Sequence, residues 1–515
     1  MKNDNKKPAS VPDEYYYLWH LVSLGVITPD EKGEGFADTL WDRLSRKGDM
    51  SPSCVVLIDV GCNFAHPNLK TRVDPARSID FTGSPFGTRL KKDAADPDAP
   101  QQNFLGLDTS ALVLEGLPTD DLALFEEVVQ HLEGSSGRAR RHGDVEALFS
   151  SHGTAVSGLI VGGPEVCPAK GEPTEGVMPY FGVDPFSHLV SVRTGFDNDP
   201  LQFIAALLYA WHQNPDVIVM PRGLPDPDHS NSAKDDFKAN LESWVNREAA
   251  DLHDRIRILD EHAEPIDPSA PQTSANGRRL WRIVQALLVA ISKHVPVVCA
   301  AGNEGESQLL YPANLANREN GIIAVGAVSG NGYRSGYANY GEGLTVVAPS
   351  DDMTVFNRHQ IRGTEKSIEK HGYLKPDEAG EYSYCNMGLL STDIGGRFGY
   401  DTGSGSDDEV DDENAQDGYY TLFGGTSGAC ALVGGVVALL RRGERLAGKD
   451  TNRRDGRDIK TLLSETARCE IPVGADLKPL RTDSMNAFGE DAAPPEFFFG
   501  AGLVDAKAAL DVVLK

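Results

Sequence analysis

Several features are missing from this sequence, and each absence narrows the classes of protein to which it belongs. No window reaches the roughly 18 to 20 apolar residues that a membrane-spanning helix requires. The longest apolar stretch, LVGGVVALL (432–440), is closed by Arg441 and Arg442. The first residues, MKNDNKKPASVPDEYYYLWH, lack the apolar core and small-residue cleavage site of a secretory signal. We therefore expect a cytoplasmic protein with no membrane partner.

Basic residues are scarce relative to acidic ones. The 515 residues include 49 lysines and arginines against 76 aspartates and glutamates, a formal net charge of −27. Nucleic acids and anionic membranes are bound through basic surfaces, so neither is an expected partner. We interpret the acidic excess as a solubility feature, with attraction of basic substrates as the open alternative.

The sequence also lacks the patterns that are typical of disulfide frameworks and of metal sites. The seven cysteines are an odd number without paired spacings, which favours reduced thiols over a disulfide framework. No CxxC or HExxH pattern occurs, so no zinc site is predicted. The acidic segment 401–417 lacks the ligand spacing of an EF-hand loop. No cofactor is therefore predicted, and calcium stays an open alternative without a supporting motif.

The sequence does contain a repeated alternation of short apolar runs and helix-like segments. Six runs rich in valine and isoleucine are apolar on both faces, as buried parallel strands must be, at 54–60, 188–194, 216–220, 295–303, 321–328 and 343–349. Helix-like segments lie between them at 152–163, 200–214 and 278–294. This alternation predicts a three-layer α/β fold, a doubly wound and mostly parallel sheet with helices on both faces.

Three polar stretches interrupt this pattern, at about 82–148, 224–276 and 351–420. We interpret them as surface insertions in a single domain spanning 51–515, because the apolar runs resume after each one. The second insertion contains a predicted amphipathic helix at 234–259. Residues 1–50 are expected to form an N-terminal extension that packs on this domain.

Four polar residues stand where catalytic groups gather in folds of this class. Asp59 ends an apolar strand, Asn303 follows one in AAGNEG, and His152 and Ser427 stand at predicted helix starts in SHGTAVSG and GGTSGA. Each has an ordinary alternative, since Asp59 and Asn303 could form turns, His152 could be a packed residue and Ser427 could cap its helix. A helix start also supplies free N–H groups and a positive dipole end, which suit a nucleophile. An amide such as Asn303 could likewise donate to a developing oxyanion.

Together, the order Asp, His, Asn, Ser and the motifs around these residues resemble the subtilase family of serine peptidases. The stretches DVGCNFAHPNL, HGTAVSGLI, AAGNEG and GGTSGA carry the resemblance, and later segments such as FGAGLVDAKAAL extend it over roughly 51–515. The chain order of the three triad residues is that already described for subtilisin itself, a relative. The resemblance points to an intracellular bacterial type of subtilase with large insertions.

The resemblance implies a role for each of the four residues. Ser427 would attack the scissile carbonyl, His152 would act as general base and acid, and Asp59 would orient the imidazole. Asn303 and the backbone N–H of Ser427 would donate to the oxyanion. The substrate would be a protein or peptide. Its chain is expected to contact six further residues, Pro221, Arg222, Gly223, Ala301, Gly302 and Leu310.

The sequence departs from the family pattern at several of these places. Gly428 and Ala431 stand where the family usually has methionine and proline, and we expect altered packing without loss of activity. Pro221 lacks an N–H with which to pair with substrate. Arg222 could favour an acidic substrate residue or simply reach solvent. Leu310 is expected to shorten the primary specificity pocket and to disfavour long basic side chains.

The expected function is therefore a serine endopeptidase. The alternative is a catalytically silent subtilase-fold scaffold that binds peptides or a partner protein. A different acyl-transfer hydrolase is disfavoured because the GxSxG elbow is absent around Ser427. The residues before Asp59 are too few for a folding-assisting propeptide, and an unrestrained cytoplasmic protease would be harmful. We therefore expect restraint by the N-terminal extension, by the acidic segment 401–417 or by a regulatory protein partner.

Overall fold

The chain folds around one large sheet with a helical layer on each face. A computed structural model describes residues 18–30, 36–48, 51–81, 101–102, 108–134, 139–141, 150–164, 180–195, 200–224, 226, 275–351, 387–394, 399–400, 418–449, 453–473, 476–480 and 494–515. The predicted amphipathic helix at 234–259 and the acidic segment 401–417 lie outside these residues.

The sheet contains all six predicted strands and three short ones. Its strands are β3 (Cys54–Asp59), β4 (Ile79–Asp80), β5 (Gln101–Gln102), β6 (Ala139–Arg141), β7 (His188–Arg193), β8 (Val217–Met220), β9 (Val297–Ala300), β10 (Ile322–Val328) and β11 (Val346–Pro349). They lie in the order β11-β10-β9-β8-β3-β7-β4-β6-β5. The first seven are parallel, and β6 is antiparallel to both of its neighbours, β4 and β5. The chain leaves β3 for β7 on one side and later returns to β8 on the other. This reversal places a topological switch point at the carboxyl end of β3.

The two faces of the sheet bury two separate apolar clusters. In β3, Val55 and Leu57 join one cluster, while Val56 and Ile58 join the other. This alternation is why the strand reads as continuously apolar in the sequence. One face carries α4 (Ser150–Val161), α7 (Gly425–Leu446) and α10 (Ala506–Val513); the other carries α3 (Thr119–Gly134), α5 (Pro200–His212) and α6 (Ala275–Ser292). The predicted three-layer α/β architecture is confirmed.

The insertion at 82–148 is not confined to the surface, which corrects the interpretation from sequence. Its strands β5 and β6 extend the sheet, and its helix α3 buries Phe125, Val128 and Leu132 in the cluster shared with α6. Asp121, at the start of α3, is buried and accepts hydrogen bonds from Arg279 and Arg282 of α6. The apolar stripe of α3 is one narrow face of a mostly polar stretch, so average composition hid it.

Helix α7 lies in the centre of its layer and is buried from Gly425 to Glu444. Gly434 and Gly435 allow close packing, because a Cβ at either position would lie 2.5 Å from Val219 or Val183 respectively. Near the other end of the helix, Arg442 pairs with Asp184, and both side chains are fully buried. The helix is therefore held along its length by the face of the sheet and by a buried ion pair.

The described part of the N-terminal extension packs on the same layer. It comprises α1 (Trp19–Ser23), β1 (Ile27–Pro29), β2 (Phe36–Thr39) and α2 (Leu40–Ser45). The indole N–H of Trp41 donates to the carbonyl of Val183 at 2.8 Å, and that of Trp19 donates to Gly388 at 3.0 Å. Seven of its aliphatic side chains belong to the α4–α7 cluster, namely Leu18, Leu21, Leu24, Val26, Ile27, Leu40 and Leu44.

The remaining elements complete the α7 side and the chain end. Strands β12 (Leu389–Thr392) and β13 (Tyr420–Phe423) pair with each other in antiparallel fashion. The other elements are a 3₁₀ turn (Ala313–Leu315), α8 (Gly456–Thr466), β14 (Glu470–Val473), β15 (Asp476–Pro479) and α9 (Pro495–Phe499). Among the residues that the structure describes, no helix is both long and apolar enough to cross a bilayer. The five cysteines within the same residues form no disulfide.

His20 makes the N-terminal extension sensitive to acid. The side chain is fully buried, and within the described part of the chain neither ring nitrogen has a hydrogen-bond partner. Burial lowers the pKa of His20 from 6.5 to about 3. The folded state thus keeps a neutral ring while the unfolded chain binds a proton below pH 6.5. Its stability contribution is complete above pH 6.5 and is lost as the pH falls towards 3.

Replacing this ring by an aliphatic side chain removes that proton linkage. H20L should be more stable than the wild type by an amount that grows as the pH falls. We expect the difference in unfolding free energy between the two proteins to increase by about 3 kcal/mol from pH 7 to pH 4. Urea unfolding of both proteins at pH 7, 5 and 4 measures the difference. The control is H212L on the exposed end of α5, where water reaches the ring in the folded state. A gap that does not widen with acid would contradict the prediction.

Candidate active site

The candidate site lies at the carboxyl edge of three neighbouring strands. Asp59 ends β3, Pro221 directly follows β8, and Asn303 follows β9 by three residues. The starts of α4 and α7 meet this edge and bring His152 and Ser427 to it. Hydrogen bonds join Asp59 to His152 and Ser427 to Pro221, and Asn303 is bonded to the residue before Ser427. The structure therefore pairs Asp59 with His152 and attaches Asn303 to Thr426, the residue before Ser427; their catalytic roles stay predictions.

Asp59 and His152 form a direct, largely buried pair. The Nδ1 atom of His152 lies 2.8 Å from Oδ2 of Asp59, and the exposed fractions of the two side chains are 22% and 2%. The other carboxylate oxygen of Asp59 accepts the backbone N–H of Val60 at 2.8 Å. A carboxylate can only accept here, so Nδ1 carries the proton. In a neutral ring this leaves Nε2 as a base.

The position of His152 depends on close packing around the start of α4. A Cβ on Gly153 would lie 1.9 Å from the carbonyl oxygen of Gly61, so only glycine lets α4 approach the loop after β3 this closely. Thr154 accepts the backbone N–H of Asn63 at 2.9 Å across the same contact. The ring of Phe423 packs edge-on against the imidazole, with 5.5 Å between centroids. Phe423 was not identified from sequence, although it stands four residues before Ser427.

Ser427 is the third residue of α7 and not its cap. The N-cap is Gly424, so the alternative in which Ser427 caps the helix is wrong. The hydroxyl donates a hydrogen bond to the carbonyl of Pro221 at 2.9 Å. Proton transfer to His152 therefore requires rotation of this hydroxyl away from Pro221, a rearrangement that is common before substrate binds.

Asn303 is held by the residue next to Ser427. Its side-chain oxygen accepts the backbone N–H of Thr426 at 2.8 Å and the Thr426 hydroxyl at 2.9 Å. The same hydroxyl accepts the N–H of Gly302 at 3.1 Å. With its oxygen on Thr426, the amide carries its two donors at the opposite end. The sequence motif GGTSGA does not reveal this contact of Thr426, because its partner Asn303 lies 123 positions away in the chain.

Comparison with known proteins identifies the family. The sequence profile of the subtilase family, peptidase S8, matches residues 53–502. The chain belongs to the subtilase family. It is similar to subtilisin BL from Lederbergia lenta, with 39% identity over 88 residues, which is 17% of this chain and 29% of that protein. An extracellular protease from Xanthomonas campestris is 27% identical over 136 residues, or 26% of this chain and 21% of that protein.

Solved structures of other proteases are similar at low identity. Fervidolysin from Fervidobacterium pennivorans, a keratinolytic enzyme related to subtilisin, has a TM-score of 0.44 and 16% identity, and the match covers 99% of this chain and 48% of that one. The epidermin leader peptide processing serine protease from Staphylococcus aureus has a TM-score of 0.43 and 16% identity, covering 90% and 76% respectively. The match to subtilisin BL spans less than a third of that relative's length.

The predicted substrate-binding residues of this subtilase lie on two neighbouring segments. Leu310 donates its N–H to the carbonyl of Ala301 at 2.7 Å, and its side chain lies against Gly223, where a Cβ would be 2.4 Å away. Gly302 has a φ of +117° and closes the turn before Asn303. Leu310 thus fills space between the segment after β8 and the segment after β9. The short specificity pocket stays a prediction, which cleavage-site profiling would measure.

Arg222 does not reach solvent, contrary to one of the two alternatives for this residue. It is 8% exposed, and its guanidinium lies 5.1 Å from the ring centroid of Phe203. Nη1 donates to the Thr194 hydroxyl at 2.9 Å and Nη2 donates to the carbonyl of Gly195 at 3.0 Å. Thr194 in turn donates its N–H to the carbonyl of Asp59 at 2.8 Å. Arg222 is therefore connected through Thr194 to the backbone of Asp59, and its preference for acidic substrates stays a prediction.

Gly428, which replaces the methionine usual in the family, is compensated by a neighbour. A Cβ at this position would lie 2.7 Å from a methyl group of Leu389 in β12, so that side chain occupies the space beside Ser427. Ala431, four residues after Ser427, continues α7 as a buried residue. Both positions are helical and buried, and the expectation that the two replacements leave activity intact stays a prediction.

Metal-binding groups are not clustered in the part of the chain that the structure describes. No group of three or more histidine, cysteine, aspartate or glutamate side chains with ligand geometry occurs there. Asp59 and His152, which are potential ligands, are already bonded to each other. The side chains at this site offer a hydroxyl, an imidazole, a carboxylate and an amide.

Proposed function

We propose that this subtilase is a serine endopeptidase that hydrolyses protein or peptide substrates. The observation that supports this most directly is the 2.8 Å contact between Asp59 and His152, which assigns the Nδ1 proton and leaves Nε2 as the base. The Ser427 hydroxyl lies at the N-terminal turn of α7 beside Pro221. The proposed reaction uses these side chains and water and needs no cofactor.

In the proposed mechanism His152 accepts the Ser427 proton as Oγ attacks the scissile carbonyl. The C–N bond then breaks as His152 returns the proton to the leaving amine, which leaves an acyl-enzyme. Water repeats the sequence and releases the acid. Asp59 keeps the ring in the required tautomer and stabilises the imidazolium that forms in each half-reaction.

The oxyanion is proposed to form between Asn303 and the first turn of α7. The amide donors of Asn303 and the N–H of Ser427 would bind the negative oxygen, and the positive end of the α7 dipole favours it. Loss of one such donor typically costs on the order of 100- to 1000-fold in turnover, a figure measured on subtilisin itself. Fixed donors at this position distinguish a catalytic site from a simple peptide-binding groove.

A catalytically silent scaffold is the competing function, and direct labelling of the serine separates the two. We expect a fluorophosphonate probe to label the wild type, and S427A to abolish both labelling and peptide hydrolysis. D59N should keep the fold but lower turnover by on the order of 10⁴-fold, because the wrong imidazole tautomer is favoured. Folded wild-type protein that is neither labelled nor active would support the scaffold instead.

Thr426 provides a finer test of the proposed oxyanion hole. T426V keeps the shape of the side chain but removes the hydroxyl bonds to Asn303 and Gly302. We expect kcat to fall about two- to tenfold with KM nearly unchanged. The matched control is T345V, which removes a hydroxyl that accepts the N–H of Ala324 at the same 3.1 Å distance. Equal losses in the two variants would contradict the role assigned to Thr426.

Restraint of the activity and a cytoplasmic location also stay proposals. The acidic segment 401–417 precedes Tyr419, whose carbonyl accepts a hydrogen bond from the His66 ring at 2.8 Å. Tyr420 donates to Asn68 at 2.6 Å, so the chain after this segment is attached to the loop that follows Asp59. If the segment restrains the enzyme, deleting residues 401–417 should raise the rate of peptide cleavage. Unchanged cleavage would point to the N-terminal extension or a partner protein.

A further inference from the structure

One short segment after β10 contacts both halves of the proposed oxyanion hole. Tyr337 and Asn339 are almost completely buried, with exposed fractions of 0% and 3%. Tyr337 reaches the start of α7, which carries the Ser427 N–H, while Asn339 reaches the loop that carries Asn303. Two residues that are two positions apart in the chain thus contact the two segments that carry the proposed donors, and these segments come from distant parts of the sequence.

Both backbone polar groups of Gly425, the first residue of α7, are hydrogen-bonded by side chains, one of which is Tyr337. The N–H of Gly425 donates to the Tyr337 hydroxyl at 3.0 Å, and the carbonyl of Gly425 accepts from the Ser350 hydroxyl at 2.9 Å. The Tyr337 hydroxyl donates in turn to Asp351, whose carbonyl oxygen and Oδ1 lie 2.8 and 3.1 Å away. Gly425 has a φ of +74°, a left-handed conformation that needs such external support.

Gly424, the residue before Gly425, is equally constrained. A Cβ on Gly424 would lie 1.9 Å from Oδ1 of Asp351, and Asp351 is fully buried. The turn into α7 is therefore pressed against Tyr337 and Asp351 with no space for a side chain. The direction in which the first N–H groups of α7 point depends on this contact.

The Asn339 side holds the loop around Asn303 in a similar way. Its side-chain oxygen accepts the N–H groups of Glu304 and Glu306 at 2.9 and 3.2 Å, and its own N–H donates to the carbonyl of Gly302 at 3.0 Å. Its side-chain nitrogen donates to Oε2 of Glu304 at 2.9 Å, and that oxygen also accepts the N–H of Asn303. Asn339 therefore bonds to the loop on both sides of Asn303.

We propose that Tyr337 and Asn339 are positioning residues that set the separation and direction of the two oxyanion donors. This inference rests on the proposed peptidase function. Donors stabilise a transition state only when they are already aimed at the charge that develops, so a rigid shared support contributes to catalysis without touching substrate. Because the oxyanion exists only in the transition state, the effect should fall on kcat and leave KM nearly unchanged.

The test is Y337F, which removes one hydroxyl and keeps the buried ring. We expect kcat to fall about two- to tenfold, with KM within about twofold. A peptide aldehyde inhibitor, whose adduct with Ser427 carries the oxyanion, should bind more weakly by the same factor. The control is Y209F in α5, another buried tyrosine whose hydroxyl donates to a backbone carbonyl, that of Arg77, at 2.7 Å. Y209F should leave both quantities unchanged.

Repeating Y337F in an N303A background decides whether the effect passes through the oxyanion hole. With one donor already absent, the additional loss of kcat should be clearly smaller than in the wild type. N339A, which releases the Asn303 loop, should resemble Y337F in its kcat-specific loss, and Y337F decides alone if N339A does not fold.

Three results would overturn the proposal. The first is that Y337F leaves kcat and the affinity for the aldehyde unchanged. The second is that Y337F lowers kcat as much in the N303A background as in the wild type, and the third is that it raises KM by the same factor as it lowers kcat. Each result would show a merely structural role. Failure of the underlying function is distinguishable, because wild type and S427A would then be equally inactive and unlabelled. In that case no oxyanion forms, and Tyr337 and Asn339 have no donors to position.

Discussion

Helix α7 is buried along almost its whole length, and this packing sets the position of Ser427. Twenty consecutive residues from Gly425 to Glu444 are buried, and Gly434 and Gly435 bring the helix close to the sheet. A rigid helix transmits such constraints to its end, so contacts made several turns away determine where its third residue lies. A fully buried ion pair at Arg442 holds the far end of the helix.

The parallel sheet supplies the complementary constraint. Strands β9, β8 and β3 are neighbours, so Asn303, Pro221 and Asp59 leave the sheet side by side at its carboxyl edge. Helices α4 and α7 start at this edge, and their packing brings His152 and Ser427 to the same place. The candidate site is thus a consequence of strand order and helix burial, with Asp59, His152 and Ser427 on a strand or a helix and Asn303 on the loop after β9.

Expectations from sequence were confirmed for the fold, which follows from local patterns. The six apolar runs became strands because residues on both faces, such as Leu57 and Ile58, are buried. The four catalytic candidates were found through motifs in which small residues surround one polar group. Expectations failed where the outcome depends on a distant partner. The apolar face of α3 is buried beside α6, and the buried guanidinium of Arg222 donates hydrogen bonds to Thr194 and Gly195.

The sequence by itself determined the fold class and the family resemblance, and it singled out Asp59, His152, Asn303 and Ser427 as the candidate catalytic residues. Only the tertiary structure decided that Gly424 caps α7, that the Ser427 hydroxyl donates to Pro221, and that Tyr337 and Asn339 share the support of two donors. The physical reason is that residue type and spacing fix which groups a segment can offer. Which partner receives each hydrogen bond is set by contacts between segments far apart in the chain.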